Sequence, residues 1–358
     1  PPPCAYSVNF TGFSKLYSCN KYRNILVFIT LNVDCLMKRD LIGISELSLD
    51  EDIIDVRSPS EYRLDHIPGS INLPVLDDDE RKLIGWTYKN ESSFKAKRIG
   101  ASLVSKNIAK YLEGELAAKT ENWAPIIYCW RGGKRSGSMA LVFRQIGWRA
   151  RQLSGGYKSF RRQVIEETSD LASGLSYVVV CGLTGTAKTD LIAMLTNKGE
   201  QTLDLEALAK HRGSLLGFHS ASAQPSQKRF ETELWSKLRS YDPSKPVFLE
   251  SESKKIGDLR VPEALINAYR QGECINVQAS LETRTAYLKE NYIHLIETPP
   301  LLITQIEKLV SRHGNKIVNH WLSLIKNNAW DAFVHDLLKT HYDVSYSKSM
   351  HKNFKNFS

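Results

Sequence analysis

The sequence predicts two α/β domains in tandem followed by a helical C-terminal region. Short apolar runs alternate with helical patterns from residue 41 to about residue 300, the order expected of parallel sheets covered by helices. Two glycine-rich strand-to-helix turns, at 128–136 and 181–189, mark one loop of special geometry in each domain. After residue 301 the spacing of Ile303, Ile306, Leu309 and Val310, then Trp321, Leu322, Leu324 and Ile325, is that of amphipathic helices, here read as a cap over 301–358.

Length and composition agree with this reading. At 358 residues, 42% hydrophobic and 24% charged, the chain can bury two ordinary cores. With 21 Gly and 13 Pro it is neither collagen-like nor low in complexity, and no apolar run nears the ~20 residues that span a bilayer, so no membrane partner is expected. The formal charge of +9 favours polyanionic partners. Cysteines at 4, 19, 35, 129, 181 and 274 are too scattered for a disulfide framework or zinc knuckle, which points to a reducing compartment and a cytoplasmic protein. Residues 1–36 hold Lys15, Lys21 and Arg23 and no acid before Asp34; they are read as an unassigned extension in which an organellar signal remains open.

The first domain is expected over 37–165, with buried strands at 53–56 and 126–128 and a helix at 137–146. Ser58 or Ser60 can cap a helix that has Pro59 in its first turn. Residues 66–72 read as a turn feeding the next strand. The informative segment is Cys129-Trp130-Arg131-Gly132-Gly133-Lys134-Arg135-Ser136, which leaves a strand and enters a helix. Backbone N–H groups at a helix start converge on an anion, and Arg131, Lys134 and Arg135 favour a thiolate at Cys129. Cys129 is therefore the candidate nucleophile, with Arg131, Gly132, Gly133, Lys134, Arg135 and Ser136 as its anion cradle. Residues 122–165 contain nine Lys or Arg and no Asp or Glu, which deepens the positive field. With the upstream segment "DVRSPSEY...HIPGSINLP", this loop resembles the rhodanese family, whose active cysteine lies at such a turn. The spacing from Cys129 to Arg135 is also similar to that of rhodanese-like dual-specificity phosphatases. Asp65 departs from the resemblance, standing where many relatives have Gly.

A polar stretch at 166–176 reads as a linker to a second domain at 177–300, which opens on the apolar strand 177–181. Gly182-Leu183-Thr184-Gly185-Thr186-Ala187-Lys188-Thr189 and a helical run at 190–195 follow, giving the strand, loop and helix of a phosphate loop. Loop N–H groups would cradle phosphate oxygens with Gly182 and Gly185 allowing the close approach, Lys188 would add a point charge, and the Thr189 hydroxyl would face magnesium. Ala187 replaces the last glycine of the pattern, so its Cβ is expected to crowd the cradle or resist the backbone angles needed. Strand 246–250 ends in Glu250, with Glu252 beyond it, as candidate partners of that magnesium. Cys181 reads as core, and His211 as a substrate contact or a turn cap.

The order of the two loops, with "LDLEALAKHRGSLLGF", "PSQKRFETEL" and "LESESKKIG", resembles the tRNA 2-selenouridine synthase family over roughly residues 40 to 300. That resemblance implies a rhodanese-like domain followed by a P-loop NTPase-like domain, and a transferase that replaces the sulfur of wobble 2-thiouridine in tRNA by selenium. It implies selenophosphate and geranyl diphosphate as co-substrates, an S-geranyl intermediate, a selenophosphate-supplying enzyme as a partner, and no tightly bound cofactor beyond magnesium. Cys129 matches the family's essential cysteine, and Gly182, Gly185, Lys188 and Thr189 match its phosphate loop. Tyr88, Lys89 and Lys158 resemble segments near the active site. Two rivals stay open at this point: a phosphatase using Cys129 and Arg135 beside a regulatory nucleotide domain, and a tRNA-binding protein whose phosphate loop has decayed. Trp130 would either stack on a flipped base or cover the cysteine, and 348–355, mixing lysines with His351 and Phe354, would either touch RNA or, the favoured reading, be a disordered end.

Overall fold

The alternation of apolar runs builds two parallel sheets. The computed structural model describes residues 40–211 and 223–346, which divide into two units: one up to Arg63 together with Gly69–Phe160, the other Leu64–Pro68 together with the chain from Arg161 onward. The N-terminal extension and the basic tail lie outside the described residues, as does the greater part of the segment following His211. Among the described residues no helix is long and apolar enough to cross a membrane.

The first unit contains strands β1 (Leu41–Ile42), β2 (Ile53–Asp55), β3 (Ile71–Asn72), β4 (Ile126–Tyr128) and β5 (Arg151–Leu153), ordered β1-β5-β4-β2-β3 and all parallel. Ile53, Ile54, Ile126 and Ile127 are wholly buried, because both faces of a parallel sheet are covered. The helices are α1 (Pro59–Leu64), α2 (Asp78–Asn90), α3 (Ser93–Glu113) and α4 (Lys134–Ile146), and α5 (Gly156–Ser173) starts here and belongs to the second unit from Arg161 on. Asp77 caps α2 by accepting from the Glu80 N–H at 2.7 Å, and Glu80 returns a bond to the Asp77 N–H. The chain runs from β2 outward to β3, then crosses to β4 on the other side of β2. Cys129 therefore leaves β4 at a switch in strand order, the usual place for a ligand crevice in such sheets.

The second unit contains β6 (Tyr177–Cys181), α6 (Lys188–Asn197), β7 (Gln201–Leu203), α7 (Leu205–Ala209), α8 (Gln227–Arg239), β8 (Val247–Glu250), the small antiparallel pair β9 (Lys255–Ile256) and β10 (Leu259–Arg260), α9 (Glu263–Tyr269) and β11 (Glu273–Asn276). Its parallel sheet has the order β11-β6-β8-β7, which sets the end of β8 beside the loop that follows β6. Helix α10 (Leu281–Asn291) follows, and α11 (Ile293–Glu297), α12 (Pro299–Glu307), α13 (Val310–Lys326) and α14 (Trp330–Leu337) share a core of Leu295, Leu302, Ile306, Trp321, Ile325, Phe333 and Leu337. Trp321 donates to Asp336 at 2.7 Å, which satisfies its buried N–H.

Three expectations change. The stretch read as a linker at 166–176 is helical as far as Ser173, and Val164, Thr168 and Ala172 bury one side of α5 at a spacing of four that its polar composition concealed. The helix expected at 137–146 starts three residues earlier, at Lys134. The helical cap expected from 301 also takes in Ile293–Glu297, since Leu295 and Leu302 belong to one apolar cluster.

Candidate active site

The Cys129 loop is a tight turn that only glycine can make. Gly132 has φ +62°, and a Cβ there would lie 2.4 Å from the Leu153 carbonyl oxygen. Gly156 has φ +57°, and a Cβ there would lie 2.2 Å from the Cys129 carbonyl oxygen. Cys129 itself is 4% exposed. Its Sγ accepts from the Gly133 N–H and the Ser136 hydroxyl, both at 3.2 Å. Burial pushes the thiol up, but the Ser136 and Gly133 hydrogen bonds and the Arg135 charge outweigh it, leaving the thiol below its ordinary range. The expected nucleophile thus sits at the N-terminus of α4, where hydrogen bonds and charge favour its thiolate form.

Arg131, Gly133 and Lys134 stand exposed at the mouth of this loop. Arg135 does not: its guanidinium is held by Glu61, at 2.7 and 3.4 Å, so it supports the loop and lends its charge rather than reaching out for an anion. Burial pushes Glu61 up, but Arg135 more than offsets it and holds the carboxyl below its usual range. Gln152, a residue the sequence reading passed over, donates to the carbonyls of Gly132 at 2.6 Å and Gly133 at 3.1 Å, and to Ser136 Oγ at 3.0 Å. Its signal was faint, since "RQL" is a short polar strand.

The upstream signature folds into the support of this loop. Asp55, fully buried, accepts from the backbone and guanidinium of Arg57 and from the Tyr128 hydroxyl at 2.7 Å. The Arg57 guanidinium lies 3.9 Å from the Tyr157 ring centroid, and Tyr157 packs against Trp130 at 5.3 Å. Half-buried Trp130 is thereby fixed beside the cysteine. Asn72 ties the Asp55 and Arg57 carbonyls, both at 2.9 Å. Asp65 is buried in the second unit, where Thr232 donates to it at 3.0 Å.

The phosphate loop joins β6 to α6. Gly182 has φ +151°, and a Cβ there would meet the Val277 carbonyl oxygen at 2.6 Å; Gly185 has φ +87°, and a Cβ there would meet the Arg284 carbonyl oxygen at 3.0 Å. Ala187 sits in the left-handed region, φ +60° and ψ +32°, so the loop keeps the form a glycine would give it and holds the strain of a Cβ there. Lys188 is 8% exposed and donates to the Leu183 carbonyl at 3.4 Å. Thr189 donates to Glu250 at 2.7 Å. Gly182, Gly185, Lys188, Thr189 and Glu250 thus come together as expected. Arg284, which the sequence reading missed, braces the loop: it is 3% exposed, donates to the Thr184 carbonyl at 2.7 Å and is paired with Asp343 at 2.6 Å.

Acids crowd Lys188. Burial and the neighbouring carboxylates raise Glu206 and Glu252 well above the usual range, and burial raises Glu250, with Lys188 opposing all three shifts. Among the described residues no group of three or more His, Cys, Asp or Glu could itself hold a metal. Thr189 and Glu250 fit a magnesium ion that takes its other ligands from phosphate oxygens and water. His211 closes α7 through its backbone, donating to the Glu206 carbonyl at 3.0 Å. Cys181 is fully buried in the core, where burial pushes its thiol up to about 12.

Comparison with known proteins agrees with this arrangement. The family model described as "tRNA 2-selenouridine synthase AAA domain" matches residues 175–305, and the rhodanese-like domain model matches 43–163. A tRNA 2-selenouridine synthase of Nitrosomonas europaea is 37% identical over 265 residues, covering 72% of this chain and 68% of that protein. One of Nitrosomonas eutropha is 35% identical, covering 70% of this chain and 64% of that protein. One of Shewanella halifaxensis is 30% identical over 333 residues, covering 85% and 90%.

Proposed function

Because the chain belongs to the tRNA 2-selenouridine synthase family, we propose that it modifies tRNA at a wobble 2-thiouridine, replacing sulfur by selenium with selenophosphate as donor and geranyl diphosphate as alkylating co-substrate. The thiocarbonyl sulfur attacks the allylic carbon of geranyl diphosphate, a C–S bond forms, and the C–O bond to diphosphate breaks. Loop N–H groups and Lys188 stabilise the charge that develops on the departing diphosphate. Magnesium at Thr189 and Glu250 would neutralise that charge further. Selenium of selenophosphate then attacks C2 of the base, geranylthiol leaves, and water takes the phosphoryl group to give phosphate.

The observation that carries this reading is the presence of two distinct anion loops, one holding a lowered thiol and one holding a phosphate-loop lysine and threonine. Exposed Arg131 and Lys134 suit selenophosphate, which is more highly charged than a simple ester. Trp86, Tyr88 and Phe94 are exposed on α2 and α3 among Lys89, Lys95, Lys97 and Arg98, a mixture of rings and cations suited to unstacked RNA bases and phosphates. The phosphatase alternative is disfavoured by Glu61, which occupies the arginine that such a reaction would need on phosphate.

The test is to incubate the protein with 2-thiouridine-containing tRNA, geranyl diphosphate, selenophosphate and magnesium, then identify the wobble nucleoside by mass spectrometry. 2-Selenouridine is expected from the native protein. Cys129→Ala is expected to accumulate the S-geranyl nucleoside without selenium, and loss of both products in that variant would refute the division of labour between the loops.

A further inference from the structure

Beside the phosphate loop, helices α10, α11, α12 and α14 enclose a narrow apolar cavity of about 60 Å³. Its principal walls are Leu288, Leu295, Leu302, Trp330, Phe333 and Leu337. Thr184 belongs both to this wall and to the tip of the loop. The two features are mechanically joined: Arg284 of α10 holds the Thr184 carbonyl, and Leu288, one turn further on, lies 3.1 Å from where a Gly185 Cβ would be. The charged residue at the rim, Lys289, is paired with Asp331 at 2.8 Å and so is directed away from a ligand.

We propose that this cavity seats the hydrocarbon tail of an allylic diphosphate whose head lies in the phosphate loop, and that its depth selects the tail length. The proposal rests on the reading of the loop as a diphosphate site. A nucleotide would bring ribose and base hydroxyl and amine groups into a space whose walls offer them few partners, whereas a terpenoid chain needs none. Apolar walls of this kind also stay dry, so a tail entering them displaces little ordered water. Val334, half-buried on α14, lines the same space, so a bulkier side chain there would shorten it.

Isothermal titration of the full chain with inorganic pyrophosphate, dimethylallyl, geranyl and farnesyl diphosphates in magnesium separates head from tail. Affinity is expected to rise at least roughly tenfold from pyrophosphate to geranyl diphosphate, as burial of several methylenes requires, and to fall again for farnesyl. Val334→Trp should remove that rise while leaving pyrophosphate binding as in the native chain, which also reports that the variant folds. Leu288→Ala, which enlarges the cavity, should move the optimum toward farnesyl. Equal binding of pyrophosphate and geranyl diphosphate, or a Val334→Trp variant that keeps the tail increment, overturns the cavity assignment alone. Absence of any pyrophosphate binding to the native chain overturns the phosphate-loop reading and this proposal together.

Discussion

The two loops share one geometry, a glycine-bearing turn from a strand into the start of a helix, with opposite charge arrangements. Around Cys129 the carboxylates seen are committed, Glu61 to Arg135 and Asp55 to Arg57, while Arg131 and Lys134 stand exposed. Around Lys188 one cation faces Glu206, Glu250 and Glu252, two of them with raised carboxyls through mutual repulsion as well as burial. A loop with surplus positive charge takes an anion directly. A loop surrounded by carboxylates favours an anion that arrives with a metal cation, since the metal relieves the repulsion the anion would add. The first loop thus suits a small nucleophilic anion, and the second a magnesium diphosphate.

The largest test of this contrast is charge removal at each loop. Lys188→Ala should weaken magnesium diphosphate binding by about 2–3 kcal/mol, roughly 30- to 150-fold in Kd by titration, because a charged donor is lost beside three acids. Cys129 accessibility to a thiol-alkylating reagent should be unchanged in that variant; a parallel change would mean that the loops are not independent.

Next in size is the contact that shapes the first loop. Gln152→Ala removes the donor to the Gly132 carbonyl and to the Ser136 hydroxyl, while the Gly133 carbonyl keeps the Gly137 N–H at 3.0 Å. It should cost roughly 1–3 kcal/mol in urea unfolding, and the alkylation pH profile of Cys129 should move upward as the Ser136 bond loosens.

The acids give a pH dependence. Glu252 is raised from 4.5 to about 7 and Glu206 to about 9. A group raised in the folded state favours folding while protonated, so this contribution is full below about pH 4.5 and is lost as pH rises through 7 toward 9. The Tm without metal should therefore decline across that window, and Glu252→Gln should flatten the decline. Magnesium with pyrophosphate should restore Tm at the alkaline end.

The smallest expected effect is Ala187→Gly. Releasing the left-handed alanine returns about 1 kcal/mol, partly cancelled by the greater chain entropy of glycine. A Tm rise of a few degrees at most, with slightly tighter pyrophosphate binding, is expected; a fall in both would mean that the Cβ contributes packing.

Much of this was readable from residue order alone. The strands at 53–55, 126–128, 177–181 and 247–250 are β-branched or aliphatic runs, and Cys129, Lys188, Thr189 and Glu250 follow from the glycine-rich turns that precede or face them. Ala187 was legible as a departure, and its φ bears out the conformational argument. What escaped were groups that act across the fold. Glu61, Gln152 and Arg284 lie 74, 16 and 100 residues from the groups they hold, Arg135, Ser136 and Thr184, so no local spacing links them. The short strands at 151–153, 201–203 and 273–276 carry Arg, Gln and Glu among few apolar residues, too little for a period of two to stand out.

The continuity of α5 bears on how the chain can be dissected. The matched segments end at 163 and resume at 175, inviting a cut between them, yet that interval is mostly helix, with Thr168 and Ala172 buried. A fragment begun at residue 166 would start inside a helix, without the turn that nucleates it and without Val164, whose carbonyl accepts from the Thr168 hydroxyl. Fragments that separate the two units should keep Gly156–Ser173 whole in one piece. For the same reason limited proteolysis should nick the chain elsewhere before it cuts within Gly156–Ser173.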